Sequence, residues 1–351
     1  MNNPVRVLVV DDSALARQII TSALSRDSRI EVVGTAPDVY VARDKIVELK
    51  PDVLTLDVEM PRMDGVQFLK RLMPQHPMPV VVVSALTKAG AAITLDALAS
   101  GAVDFVPKPS SSFGQKLDSM VDDLVEKVLV AASTDVSRWK DRTFSITKVK
   151  KTQASLQESS SKVIAVGAST GGTVALTGVI SALPPTIPGV VVVQHMPPVF
   201  TGMFADKLNQ ISTVQVKEAV DGDRVLTGQV LIAPGGVHTR VERQGGRYVV
   251  RCEAGAPVSG HSPSVDVLMH SVAESVGRNA IGAVLTGMGS DGARGLRAMK
   301  DAGARTFAQD EQTSVVFGMP KQAYECGGAE RLVPIDRVAD QLVTLSQEMT
   351  T

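Results

Sequence analysis

The chain is poor in cysteine, with only Cys252 and Cys326 in 351 residues, far apart and in no metal-ligand spacing. That excludes a disulfide-stapled scaffold and a thiolate metal centre, and fits reduced, buried thiols in a cytosolic protein. Net charge is equally scarce. Thirty-six basic against 37 acidic side chains leave −1 at pH 7, so no global field draws the molecule to nucleic acid or anionic lipid. Long apolar runs are missing too, since none approaches the roughly 18 residues of a membrane span. The N-terminal run Val7 to Val10 is too short for a secretory core and is followed at once by Asp11 and Asp12. A cytoplasmic protein without membrane insertion is expected. No motif recurs at a fixed period, which excludes a repeat array. Apolar side chains are plentiful, 44% of the chain, enough for a core in each of two or three domains.

Across residues 1–130, short β-branched runs at 5–10, 30–35, 53–57, 80–84 and 104–107 alternate with helical periods near 14–25, 38–49, 65–73, 89–99 and 116–130. Five such units predict a doubly wound parallel sheet, because each return to a parallel strand needs a crossover. The third and fourth strands, nearly all apolar, belong in its centre. Residues 131–160 lapse into Ser, Thr, Lys and Gln around Trp139 and read as a flexible, locally basic linker. From 161 to 351 a second, larger α/β pattern follows, with apolar strands expected at 163–167, 190–194 and 281–286. A hairpin is expected from 239–243 and 248–252, joined by Gln244-Gly245-Gly246.

In open α/β sheets ligands sit beyond the carboxyl ends of the strands. In the first domain those ends carry Asp11 and Asp12, Asp57, Ser84, and Lys108 within Pro107-Lys108-Pro109. Two carboxylates about 4 Å apart repel by roughly 4 kcal/mol at an effective dielectric of 20, so three together call for a proton or a cation. Mg²⁺ suits a few carboxylates, a carbonyl and retained water.

This set, with Asp57 in Asp57-Val58-Glu59-Met60-Pro61-Arg62-Met63-Asp64-Gly65, resembles the response-regulator receiver family over about residues 4–130. The resemblance implies that Asp57 is the phosphoacceptor. It further implies that Asp12, Asp57 and the main-chain carbonyl of Glu59 hold Mg²⁺, with Asp11 acting through water. Ser84 and Lys108 would bind the phosphoryl oxygens, and Phe105 would be the switch aromatic.

In the second domain, the strand at 163–166 runs into Gly167-Ala168-Ser169-Thr170-Gly171-Gly172 and a helix starting near Thr173. A dinucleotide site would want G-x-G-x-x-G and an acid about 20 residues on. This segment has G-x-x-x-G-G and leads to Gln194-His195, so a serine nucleophile on a strand-to-helix turn fits better. His195 ends the next strand, and the strand from 281 delivers Thr286-Gly287-Met288-Gly289-Ser290-Asp291-Gly292. Ser, His and Asp at three strand ends can converge on one site. Ser169 attacks, His195 exchanges the proton and Asp291 orients the imidazole. His238, His261 and His270 read as structural or rim residues.

The spellings Gly-Ala-Ser-Thr-Gly-Gly, Gln-His-Met-Pro-Pro and Thr-Gly-Met-Gly-Ser-Asp-Gly are similar to those of the CheB-type methylesterase family over about 160–348. The resemblance implies phosphorylation-controlled hydrolysis of glutamate γ-methyl esters, and deamidation of glutamines, on methylated chemoreceptor cytoplasmic domains. A chemotaxis histidine kinase would be the phosphodonor. It also implies an oxyanion hole that includes the Met288 backbone N–H, supported by Thr170. Ser290 stands where Asn is commoner, and Ser262 where a basic residue is frequent. A response regulator with a DNA-binding output is the rival reading. It needs a basic recognition helix, and the Gly-rich strand-end loops after 160 supply none.

Overall fold

Runs of Val, Leu and Ile that leave no polar face have to be buried on both sides, and here they are covered by helices on each face of two parallel sheets. The computed structural model describes residues 3–108, 115–137 and 161–349. The chain divides into two units, Met1–Phe144 and Ser145–Thr351.

In the first unit, β1 (Val5–Val10), β2 (Ile30–Ala36), β3 (Val53–Asp57), β4 (Val80–Ser84) and β5 (Asp104–Pro107) form a five-stranded sheet in the order β2-β1-β3-β4-β5. Every pairing in it is parallel. The largely apolar β3 is central and β4 is interior, as their composition requires. Helices α1 (Ala14–Leu24), α2 (Val39–Leu49), α3 (Gly65–Gln75), α4 (Lys88–Ala99) and α5 (Gln115–Ala132) make the crossovers. The first four open on Ser13, Asp38, Asp64 and Thr87, whose side chains accept N–H groups of the first turn. Because α5 reaches Ala132, it takes the first two residues of the expected linker; 138–160 and Pro109 lie outside the described residues.

The second unit is built on β6 (Val163–Ala168), β7 (Gly189–Gln194), β8 (Gln215–Glu218), β9 (Gln229–Ile232), β12 (Ala280–Val284), β13 (Arg305–Gln309) and β14 (Leu332–Val333). They pair in the order β14-β13-β12-β6-β7-β9-β8, all parallel. Three of the seven strands were expected from the sequence. The other four are two to five residues long, and three of these carry polar ends, so their period is too weak to read. From β6 the chain first builds outward through β7, then returns to β12 on the opposite side. A crevice therefore opens at the carboxyl end of β6.

The antiparallel pair β10 (His238–Gln244) and β11 (Arg247–Glu253) is longer than expected. Gln244 pairs with Arg247, leaving a two-residue turn of Gly245 and Gly246 at φ 54° and 79°, the left-handed pair a tight hairpin demands. Its Val241, Tyr248 and Val250 pack with Leu268, Met269 and Val272 of α8 (Val265–Ser275) and Leu296 of α9 (Ala293–Asp301) against Val163, Ala165, Val191 and Val193. The intervening Ile164, Val166, Val190 and Val192 are equally buried on the other face. Both cysteines are free, but neither is buried as expected. Cys252 is half-buried on the hairpin, and Cys326 is exposed where α10 (Met319–Glu325) ends at the surface. Among the described residues no helix is long and apolar enough to cross a membrane.

Gly167 is required by packing, because a Cβ there would run into the Val265 side chain where α8 lies on β6. Gly167→Ala is expected to cost about 1–3 kcal/mol through overpacking. Gly178→Ala, inside α6 (Gly172–Ser181) with nothing within 4 Å of the new Cβ, should stabilise by about 0.5–1 kcal/mol. Urea midpoints of the two variants moving in opposite directions are the expected result.

Candidate functional site

Three neighbouring strands, β12, β6 and β7, end side by side, and their ends carry the predicted trio. Ser169 follows β6 and is half-buried. Its N–H donates to the Thr286 carbonyl at 3.0 Å, and its own carbonyl accepts the Gly172 N–H at 2.7 Å and Gln194 Nε2 at 2.9 Å. Gly171, with φ 76°, turns the chain into α6. His195 continues β7, its N–H donating to the Ala168 carbonyl at 3.1 Å. Thr286 Oγ1 donates to the Thr170 carbonyl at 2.9 Å, so the loop after β12 is laced to the turn that carries Ser169. Thr170 is buried there.

His195 Nε2 donates to Asp291 Oδ2 at 2.8 Å, and the two side chains are 7% and 1% exposed. The other nitrogen, Nδ1, is buried and has no hydrogen-bond partner among the described residues. It is the basic lone pair, because the carboxylate holds the proton on Nε2. Ser169 Oγ and this nitrogen stand at adjoining strand ends without a hydrogen bond between them, a gap common before substrate tightens such sites.

Asp291 is held from every side. It accepts Ser264 Oγ at 2.8 Å, the Val265 N–H at 2.7 Å, the Asp266 N–H at 3.0 Å and the Gly292 N–H at 3.1 Å. Ser264 is the N-cap of α8, so the carboxylate sits on that helix's unpaired N–H groups. Burial alone would push the carboxyl up, but the His195 hydrogen bond and charge and the Asp266 and Val265 N–H groups outweigh it and hold it below its ordinary value. Asp266 repeats the device for α9, accepting the Gly292 and Gly295 N–H groups at 3.0 and 2.7 Å. The sequence reading missed Ser264 and Asp266. A serine directly before an amphipathic run is an N-cap signal that would have found the first.

The Met288 N–H has no partner among the described residues, and Gly289 beside it has φ 81°. His261 departs from expectation. Its ring stacks on His195 with centroids 3.7 Å apart and planes 17° apart, so it belongs to the site. His238 is structural, accepting the Ser264 N–H at 3.3 Å and donating to the Ala256 carbonyl at 2.9 Å, and His270 is exposed on α8. Ser262 Oγ is buried without a partner among the described residues.

In the first unit, ligand atoms of Asp11, Asp12 and Asp57 lie within 4.8 Å of one another at the ends of β1 and β3. Lys108 Nζ lies 2.9 Å from Asp11 Oδ2 and 2.8 Å from Asp57 Oδ2. The Glu59 N–H donates to Asp57 Oδ1 at 3.1 Å, and its carbonyl accepts no hydrogen bond among the described residues. Burial pushes the Asp11 carboxyl up, against the pull of Lys108 and with the help of Asp57. Burial would lower Lys108, but contacts with Asp57 and Asp11 outweigh it and raise the ammonium. Acceptors desolvated this way fit a small divalent cation. Ser84 is fully buried at the end of β4, its Oγ 3.4 Å from the Gly90 carbonyl. Phe105 is buried, with Lys127 Nζ 5.5 Å from its ring centroid.

The family model for CheB methylesterase matches residues 164–342, and that for the response regulator receiver domain matches 7–121. A protein-glutamate methylesterase/protein-glutamine glutaminase of Syntrophotalea carbinolica is 60% identical over 350 residues, 99% of each chain. This chain belongs to the CheB methylesterase family. A relative of the same description from Sulfurimonas denitrificans is 52% identical over 98% of this chain and 99% of its own. The crystal structure of the Thermotoga maritima CheB methylesterase catalytic domain covers 53% of this chain and 99% of its own, at 38% identity and a TM-score of 0.52. This CheB-family chain thus joins a receiver to a methylesterase domain.

Asp291→Asn turns an amide N–H₂ or an uncharged oxygen toward donors that now meet a carboxylate, and should destabilise the second unit by about 2 kcal/mol. The depressed carboxylate stabilises above its unfolded value and loses that contribution as pH falls through its folded one. The stability gap between wild type and Asp291→Asn, measured by urea unfolding, is therefore expected to be widest near neutrality and to shrink below pH about 4.

Proposed function

We propose that the second unit removes methyl groups from glutamate γ-methyl esters, and deamidates glutamines, on chemoreceptor cytoplasmic domains, and that phosphorylation of Asp57 in the first unit activates it. The observation that carries this reading is the 2.8 Å pair of His195 and Asp291 at the strand end adjoining Ser169. The receiver extends to the end of α5 at Ala132, the catalytic domain spans about 161–351 and the linker joins them, the whole working in the cytoplasm with a chemotaxis histidine kinase as phosphodonor.

Ser169 Oγ attacks the γ-carbonyl carbon while His195 Nδ1 takes its proton. Asp291 keeps the proton on Nε2 and stabilises the imidazolium that forms. The developing oxyanion is met by the Met288 N–H, with Thr170 in support. His195 then protonates the departing methoxide, methanol leaves, and a glutamyl ester of Ser169 remains. Water repeats the cycle in reverse order, giving a free glutamate carboxylate and restoring the serine. With glutamine as substrate, ammonia leaves in place of methanol.

In the receiver, Asp12, Asp57 and the Glu59 carbonyl would hold Mg²⁺, with Asp11 acting through water. When bound, the ion neutralises the carboxylates and the incoming phosphoryl oxygens. Lys108 and Ser84 are the groups that bind those oxygens, and Phe105 is the aromatic that repacks as they move inward.

Ser169→Ala is expected to keep the fold and to cut methanol release from methylated receptor membranes by on the order of 10⁶; a loss of less than about tenfold would remove Ser169 as nucleophile. Acetyl phosphate should stimulate the full chain and leave Asp57→Asn at its basal rate. Because serine and imidazole supply nucleophile and base, EDTA should block modification of Asp57 and spare basal hydrolysis. Loss of basal turnover on chelation would instead point to metal-assisted hydrolysis.

A further inference from the structure

We infer that His261 is a positioning residue of the hydrolytic site, fixing the ring plane of His195 so that Nδ1 faces the Ser169 hydroxyl. This role rests on Ser169 and His195 being nucleophile and base. One hydrogen bond to Asp291 anchors a single ring edge of His195 and does not by itself set the ring plane about that contact. A second constraint, on the ring face, is needed to aim the opposite nitrogen. The His261 ring supplies it, lying 3.7 Å away and 17° from parallel.

The chain holds His261 in place by its backbone. Val258 and His261 exchange both N–H to carbonyl bonds at 3.0 Å across a turn in which Ser259 has φ 53° and Gly260 φ 82°. This left-handed pair is tight and uncommon for a serine. Ser259 Oγ donates to Asp266 Oδ2 at 3.4 Å and accepts Arg294 at 3.2 Å, tying the turn to the helix starts that grip Asp291. One segment, 258–266, therefore holds both the face of the base and the carboxylate behind it. The stack also sets an aromatic face against the ring that becomes imidazolium when it takes the serine proton.

The test compares His261→Ala, His261→Phe and His261→Gln with wild type in the full chain, measuring kcat and KM for methanol release from methylated receptor membranes. Thermal unfolding by circular dichroism reports whether each variant folds. Misaligning a base by about 1 Å costs on the order of 10²-fold, so Ala and Gln are expected to lower kcat about 10- to 100-fold. KM should stay within about twofold, because the residue acts on the base and not on ground-state binding. Phe restores the ring face and should recover most of kcat. If Ala does not fold, Phe active and Gln slow carries the same conclusion. Phe as slow as Gln, or a change confined to KM, overturns the role, as does a folded Ala variant at wild-type kcat. Ser169→Ala assayed in parallel separates the two ideas: activity surviving there removes the serine mechanism itself, whatever the His261 variants do.

Discussion

Asp291 is a buried carboxylate that collects four donors from the starts of two helices and still accepts His195, on the oxygen that also takes the Val265 N–H. Removing a charge from water costs several kcal/mol unless such donors replace the solvent. The starts of α8 and α9 provide them because helices leave their first N–H groups unpaired. Asp266 returns the favour to α9. Each helix start is thus neutralised by an acid, Asp266 from α8 and Asp291 from the turn leading into α9, and the two helices cannot shift without uncovering a charge. That lock sets the height of α8 over β6, which is why no side chain fits at Gly167. It also gives His195 a fixed partner.

The acids of the receiver are built on the opposite principle. Asp11 and Asp57 are as buried as Asp291, yet their shared counter-charge is the flexible Lys108, and Asp11 is raised where Asp291 is lowered. A site that must stay as it is satisfies its carboxylate internally. The receiver's acids are left under-satisfied, as a site built to bind a cation would leave them. Residues of similar burial are thereby suited to a fixed orienter in one unit and a switchable acceptor in the other.

Position along the strands was legible before any coordinates. Ser169, His195 and Asp291 follow strands in segments with a glycine or proline within two residues, and Asp57 and Lys108 also stand at strand ends, because apolar runs end where polar chemistry begins. His261 was not legible in this way. It lies in a segment with no periodic signal, and its stack on His195 depends on a turn whose left-handed Ser259 breaks the usual residue preference. The short strands β8, β9, β13 and β14 escaped for a related reason, since runs this short, three of them with polar ends, satisfy neither the period of a strand nor that of a helix.

The sequence by itself determined two parallel α/β units, the order of Ser169, His195 and Asp291 along the chain, and the strand ends on which they sit, because hydrophobic periodicity and turn residues act locally. Only the tertiary structure decided that β12 and β7 flank β6, so that residues 26 and 122 positions from Ser169 meet beside it. It alone decided which imidazole edge faces Asp291, and that a second imidazole covers the first. Those are contacts between segments distant in the chain, fixed by how helices and sheet close around one core, and no local pattern encodes them.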